Sequence, residues 1–275
     1  MDDINRESPA TGADDIETAI ARHAEAVRTR FGRSLLAAMA FVAALGALFF
    51  ASPLLGDLRP WTLTPGELGG LVGVLTSPLL HGSAGHWLAN GVALLILGPL
   101  AATVFPRATW RALPVIWLGS GLIAWALGEP GSHHLGASGL THGLMFLVFA
   151  LGVLRRDRAA IAAALIAFFF YGGMLLTVLP REAGVSWESH LGGAVAGLVA
   201  AVLWRRLDPP PPRRPWSWEE EAGIRSEAAL EAEAEFEPPR PEAVPVLWQR
   251  AETPSGGVVL PFPSRPAPRD DRPAD

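Results

Sequence analysis

Three short polar groups stand inside or beside long apolar runs, where a polar side chain is costly unless something uses it. The first is His81-Gly-Ser-Ala-Gly-His86-Trp-Leu-Ala-Asn90. The second is Gly136-Ala-Ser138-Gly139-Leu-Thr-His142-Gly143, and the third is Ser189-His190-Leu-Gly-Gly193-Ala-Val-Ala-Gly197. A serine hydroxyl is a weak nucleophile until a base lies within hydrogen-bond reach; Ser138 and His190 are the candidates for that pair. His86 and Asn90, four apart and so on one helical face, would donate hydrogen bonds to a developing oxyanion. No carboxylate is placed to orient the histidine, so the arrangement is a dyad and not a triad. Asp57, Glu67, Glu129, Asp157, Glu182 and Glu188 all fall in loops or at edges, and Glu188, two residues before His190, faces away from it on a helix. The chain has no cysteine and its 22 basic residues are all arginine. Thiolate sites, disulfide scaffolds, Schiff-base chemistry and a Ser–Lys mechanism are thereby excluded.

The elements that must position these residues are membrane helices. Half of the chain is hydrophobic and only 18 % is charged, against roughly 25 % in a soluble domain. Uncharged runs of spanning length predict six transmembrane helices at about 34–56, 86–105, 110–127, 136–154, 159–179 and 189–204. Arginines gather at Arg22–Arg33, Arg107 and Arg111, Arg155–Arg158, and Arg205–Arg214, while the intervening loops hold only Arg59 and Arg181. That alternation predicts both termini on the cytoplasmic side. Trp87, Trp110, Trp187 and Trp204 fall at helix ends, as an interfacial aromatic belt would have them. Asn90, Ser138 and His190 then lie within one or two turns of the outer surface, at similar depth. Gly139 with Gly143, and Gly193 with Gly197, are small-xxx-small pairs that let two backbones approach. Packing the fourth span on the sixth through these pairs carries His190 to Ser138. The loop at 57–85 is the longest and includes apolar patches suited to an interfacial or half-inserted element.

At these residues the chain resembles the rhomboid intramembrane serine proteases. His-x4-His-x3-Asn is matched by His81, His86 and Asn90; Gly-x-Ser-Gly by Gly136, Ser138 and Gly139; and His-x-x-Gly-x-x-x-Gly by His190, Gly193 and Gly197. The resemblance covers about 34–206. It implies a six-helix bundle with Ser138 as nucleophile and His190 as general base. It further implies an oxyanion hole of His86, Asn90 and the Ser138 backbone amide, and peptide-bond hydrolysis in or near the transmembrane segments of other proteins. His81 is read as ordering its loop. Two positions depart from the family pattern. His142 stands where the family often has an aromatic residue supporting the catalytic histidine, and Val72-Gly73 stands where many members carry Trp-Arg. His142 has three readings: a ring beneath His190, a water-bonded pore residue, or an alternative base; the first is favoured.

Other readings of the same residues remain. Ser138 alone would serve as a helix cap and Asn90 as an interhelical hydrogen bond, while His133 and His134 are expected to be solvated loop residues. A proteolytically silent binder of transmembrane clients would not need the serine and histidine. A transporter or metal site built on His81, His86, His142 and His190 would want carboxylate or cysteine ligands. The reading expects no metal or other cofactor, no nucleic acid, and as partners the bilayer and transmembrane substrates. A lysine-free, arginine-rich composition points to a GC-rich bacterial genome and hence to the plasma membrane. Three segments are expected: a cytoplasmic 1–33, a membrane domain 34–206 and a cytoplasmic tail 207–275. From Asp208 onward there are 14 acidic residues, 8 basic residues and 15 of the 25 prolines. Such a composition cannot bury enough apolar surface to fold alone, so the tail is expected to be mostly disordered apart from a short acidic helix at 219–236.

Overall fold

The structure is a computed structural model describing residues 10–181 and 184–235. The fold is an all-α bundle built around six helices, with no β-strand among the described residues. Glu182 and the tail from 236 onward lie outside the described residues. The first helix, α1 (Ala10–Ala51), is 42 residues long, so it begins 24 residues before the apolar run. Its polar start is rich in Ala, Glu and Arg, all good helix formers, and no proline interrupts it between Pro9 and Pro53. Helices α3 (Ala84–Val104), α4 (Pro106–Leu127) and α5 (Ser138–Arg155) follow. With α1 they are long and apolar enough to cross a membrane on length and composition alone.

The remaining two members are shorter or more polar. Helix α6 (Arg158–Tyr171) starts at Asp157, whose carboxylate accepts hydrogen bonds from the Ala159 and Ala160 amides. It stops at Gly172-Gly173, and a short α7 (Met174–Thr177) continues the run. The single fifth span expected from hydropathy is therefore broken, at the two residues with the largest backbone entropy cost in a helix. Helix α8 (Trp187–Trp204) is 18 residues long and begins with a polar turn.

Helix α5 is the centre of the bundle: 11 of its 18 residues are buried. Its glycines meet those of α8 as the spacing predicted. A methyl group at Gly193 would overlap the Gly139 carbonyl oxygen, and one at Gly197 would overlap that of Gly143. Gly119 of α4 admits Ala196 of α8 in the same manner. Trp87, in the first turn of α3, ties that helix to α1. Its indole packs against Gly46 of α1 and donates to the Val42 carbonyl at 3.1 Å.

The long loop after α1 is a docked hook. It carries a short α2 (Val72–Thr76) flanked by single 3-10 turns. Val74 packs over Gly121 of α4, Trp117 donates to the Leu75 carbonyl at 3.2 Å, and Trp125 donates to the Glu67 carbonyl at 2.8 Å. Two indoles of α4 thus hold the loop whose own Val72-Gly73 supplies no aromatic side chain. At the opposite end, the Asp208 carboxylate accepts from the Arg107 and Ala108 amides at 3.0 and 2.9 Å. It occupies the exposed amides of the α4 N-terminus, where negative charge is favoured. The chain divides into two compact units after Arg214. Beyond that point the described residues form one acidic helix, α9 (Ser217–Glu235).

Candidate active site

The bundle opens into a cleft-like cavity of about 1150 Å³. Ser138, His190, His86, Asn90 and His142 all line it, so residues from three separate motifs converge. Ser138 is half-buried in the first turn of α5. There its own amide and those of the next residues have no partner within the helix. The Ser138 hydroxyl and His190 line the same cavity without a hydrogen bond between them. Unliganded sites often tighten such contacts only when substrate binds.

His190 is 7 % exposed, and its ring is held on two sides. Nδ1 donates to the Thr177 carbonyl at 3.0 Å, which in the neutral ring leaves Nε2 as the lone-pair nitrogen. The imidazole of His142 lies beneath it, with centroids 3.9 Å apart and planes within 11°. Both nitrogens of His142 are committed. Nδ1 donates to the Ser138 carbonyl at 2.7 Å, and Nε2 lies 2.8 Å from the Thr177 hydroxyl. His142 thus lies as a ring under His190, with both of its nitrogens hydrogen-bonded. Thr177 did not emerge from the sequence as a site residue. Its one signal there is a lone hydroxyl in the last turn of the fifth apolar run.

The opposite wall is formed by His86 and Asn90. Gly136 has φ +113°, and a Cβ there would collide with the His86 ring, so a glycine two residues before Ser138 brings that ring to the serine's backbone. Asn90 is 5 % exposed and its amide donates to His81 Nε2 at 3.2 Å, leaving the second amide hydrogen for the cavity. His81 packs edge-on to His86 with centroids 5.1 Å apart. Burial, and then the neighbouring His86, push the His81 imidazole down from 6.5 to about 4. It is therefore neutral and serves as the acceptor that sets the orientation of Asn90. Its Nδ1 is buried with no hydrogen-bond partner among the described residues.

Of the two loop histidines at the cavity rim, His133 is exposed as expected and His134 is not. His134 is half-buried rather than solvated. It bridges the Ser132 hydroxyl at 2.8 Å and the Ser186 hydroxyl at 2.5 Å, and its backbone pairs with Leu63. Burial pushes its imidazole down, while the Glu188 carboxylate pulls the other way. His133 accepts or donates at the Thr62 hydroxyl, 2.9 Å away. Glu188 stands in the first turn of α8, the edge position expected, but is 7 % exposed and lines the same cavity. Among the described residues no three His, Asp or Glu side chains converge as a metal-binding group.

The cavity thus brings together a helix-terminal serine, a histidine whose Nδ1 is committed to a carbonyl, and side-chain hydrogen-bond donors. The Rhomboid domain matches residues 68–207, just over half of the chain, and the protein belongs to the rhomboid family, a family known for intramembrane serine proteases. Similar proteins include an uncharacterized protein of Mycobacterium tuberculosis (strain H37Rv), 41 % identical over 150 residues. That match covers 51 % of this chain and 62 % of the relative. An uncharacterized protein of Mycobacterium leprae is 37 % identical over 142 residues, covering 48 % of this chain and 56 % of the relative. This chain thus spans less than two thirds of the length of these mycobacterial relatives.

Proposed function

We propose that this protein is an intramembrane serine endopeptidase that cleaves other membrane proteins in or near their transmembrane segments, using Ser138 and His190. Ser138 Oγ attacks the scissile carbonyl carbon and passes its proton to His190 Nε2. The resulting imidazolium keeps its Nδ1–H on the Thr177 carbonyl, which plays the orienting part that a carboxylate plays in a triad. The carbonyl oxygen, now negative, takes hydrogen bonds from His86, Asn90 and the Ser138 amide. Collapse breaks the C–N bond, and His190 returns the proton to the leaving amine. Water then attacks the acyl-serine by the same route, with His190 again accepting and returning the proton. Both termini are cytoplasmic in this reading, from the arginine alternation, and the bilayer is the bacterial plasma membrane. Residues 34–206 are the catalytic unit, with 1–33 and 207–275 as cytoplasmic flanks.

The observation that carries the proposal is the His190 ring. It is stacked on His142 and tied through Nδ1 to Thr177, and it shares a cavity with Ser138. A histidine used only for packing would not need its free nitrogen kept on a serine-lined cavity. The test is fluorophosphonate labelling and turnover of a model transmembrane substrate, side by side, on wild type, Ser138→Ala and His190→Ala. Both variants should lose both signals. Labelling that persists in folded Ser138→Ala would overturn the assignment.

A further inference from the structure

Away from the catalytic cavity, a groove of about 800 Å³ runs between α1 and α4. Its α1 wall is Arg30, Arg33, Ala37 and Phe41, spaced to share one helical face, and its α4 wall includes Leu113 and Trp117. Phe41 and Trp117 close the far end with ring centroids 6.2 Å apart. The near end opens at Arg30 and Arg33. From Arg30 to Phe41 the helix rises about 16 Å at ~1.5 Å per residue, the depth of one leaflet of a hydrocarbon core about 30 Å thick. The groove therefore fits an acyl chain running from headgroup level to the bilayer midplane.

Its open end is built for negative charge. A second cavity of about 330 Å³ adjoins it, sharing Arg30 and adding Arg107 and Arg155. Arg155 is paired with Asp157 and lies over the Phe105 ring. Both oxygens of Asp208, which also lines this cavity, are taken by the α4 amides. Arg30, Arg33 and Arg107 pair with no carboxylate among the described residues. Thr103 and Thr109 lie at the same end, with buried hydroxyls that have no hydrogen-bond partner there. Apart from the Asp157 that pairs with Arg155, the bundle places one carboxylate here, Asp208, against four arginines, so the site keeps an excess of positive charge.

We infer that this site binds an anionic phospholipid, its phosphate on Arg30, Arg33 and Arg107 and one acyl chain in the α1–α4 groove. This goes beyond the protease reading and does not depend on it. The test is native mass spectrometry of the full-length protein in detergent, titrated with phosphatidylglycerol, with phosphatidylcholine, or with inorganic phosphate alone. Each arginine beside an anionic headgroup favours it by about fivefold. Arg30→Gln combined with Arg33→Gln should therefore weaken phosphatidylglycerol retention by roughly 25-fold, while Arg22→Gln combined with Arg28→Gln leaves it unchanged. Ala37→Trp fills the groove from an exposed helix position without altering charge, and should also displace the lipid. Inorganic phosphate alone should not compete at millimolar concentration. Equal retention of both lipids, undiminished retention in the Arg30/Arg33 variant, or phosphate binding as tight as the lipid's would each overturn the inference. Loss in the double variant but full retention in Ala37→Trp would overturn the acyl-chain half of it.

Discussion

Replacing His142 by phenylalanine and by alanine separates what its ring does from what its nitrogens do. Phenylalanine keeps a six-atom face under His190, where the rings now stack at 3.9 Å. An aromatic pair of this kind is worth about 0.5–1.5 kcal/mol, or roughly 2- to 13-fold in how well His190 is held. The change deletes two hydrogen bonds, yet it strands no buried group. The Ser138 carbonyl keeps the Thr141 hydroxyl at 2.8 Å, and the Thr177 hydroxyl keeps the Met174 carbonyl at 3.1 Å. Each lost bond costs about 0.5–1.5 kcal/mol of stability. Alanine removes the ring as well and leaves a void beneath His190. A base displaced by about 1 Å costs on the order of a hundredfold in rate. Turnover of a model transmembrane substrate in proteoliposomes, with Tm measured on the same preparations, should therefore rank wild type, then His142→Phe within about tenfold, then His142→Ala about a hundredfold down. If His142→Phe is as inactive as Ser138→Ala while its Tm stays near that of wild type, the ring argument fails. His142 would then belong to the proton path.

Two further predictions concern the opposite wall. His86→Ala or Asn90→Ala removes a donor needed mainly when charge develops, so kcat should fall by up to 10²–10³-fold with KM little changed; a rise in KM at constant kcat would instead assign these residues to substrate binding. His81, held at about 4, stays neutral in the folded protein while the unfolded chain protonates it near 6.5. Stability should therefore fall as pH drops from about 6.5 to 4. Thermal melts across that window should show a shallower slope for His81→Gln, which keeps an acceptor for Asn90. An identical slope would assign the pH dependence to another group.

How much of this was legible beforehand depended on whether a residue's own type carried its role. Ser138, His190, Gly193 and Gly197 stood out because polar and side-chain-free positions are expensive inside apolar helices unless they are used. Their spacing then dictated which face of α8 meets α5. Thr177 was hidden because its contribution to His190 is a backbone carbonyl, which every residue owns. The break at Gly172-Gly173 that brings that carbonyl to the ring is invisible to a hydropathy average. Trp117 lies inside the third apolar run and Trp125 near its end, and neither was singled out beforehand. Only the tertiary approach of the hook to α4 gives their N–H groups backbone acceptors. His134 was misplaced for a related reason. A loop that folds back over a cavity mouth buries residues that composition assigns to solvent.

The Asp208 carboxylate, meanwhile, ties the chain just past the last bundle helix back to the middle of the bundle. It works as a clasp between positions 101 residues apart, fastening the exit of the last membrane helix to the first turn of the third. The apolar run ends at Trp204, and a boundary drawn from hydropathy falls just short of the clasp. An expression fragment cut there would leave the α4 amides unfastened, a loss of the size of a missing helix cap, about 0.5–2 kcal/mol. Leu207, whose carbonyl accepts from the Arg107 guanidinium at 3.2 Å, and Asp208 look like the start of a linker and are the last rivets of the membrane fold.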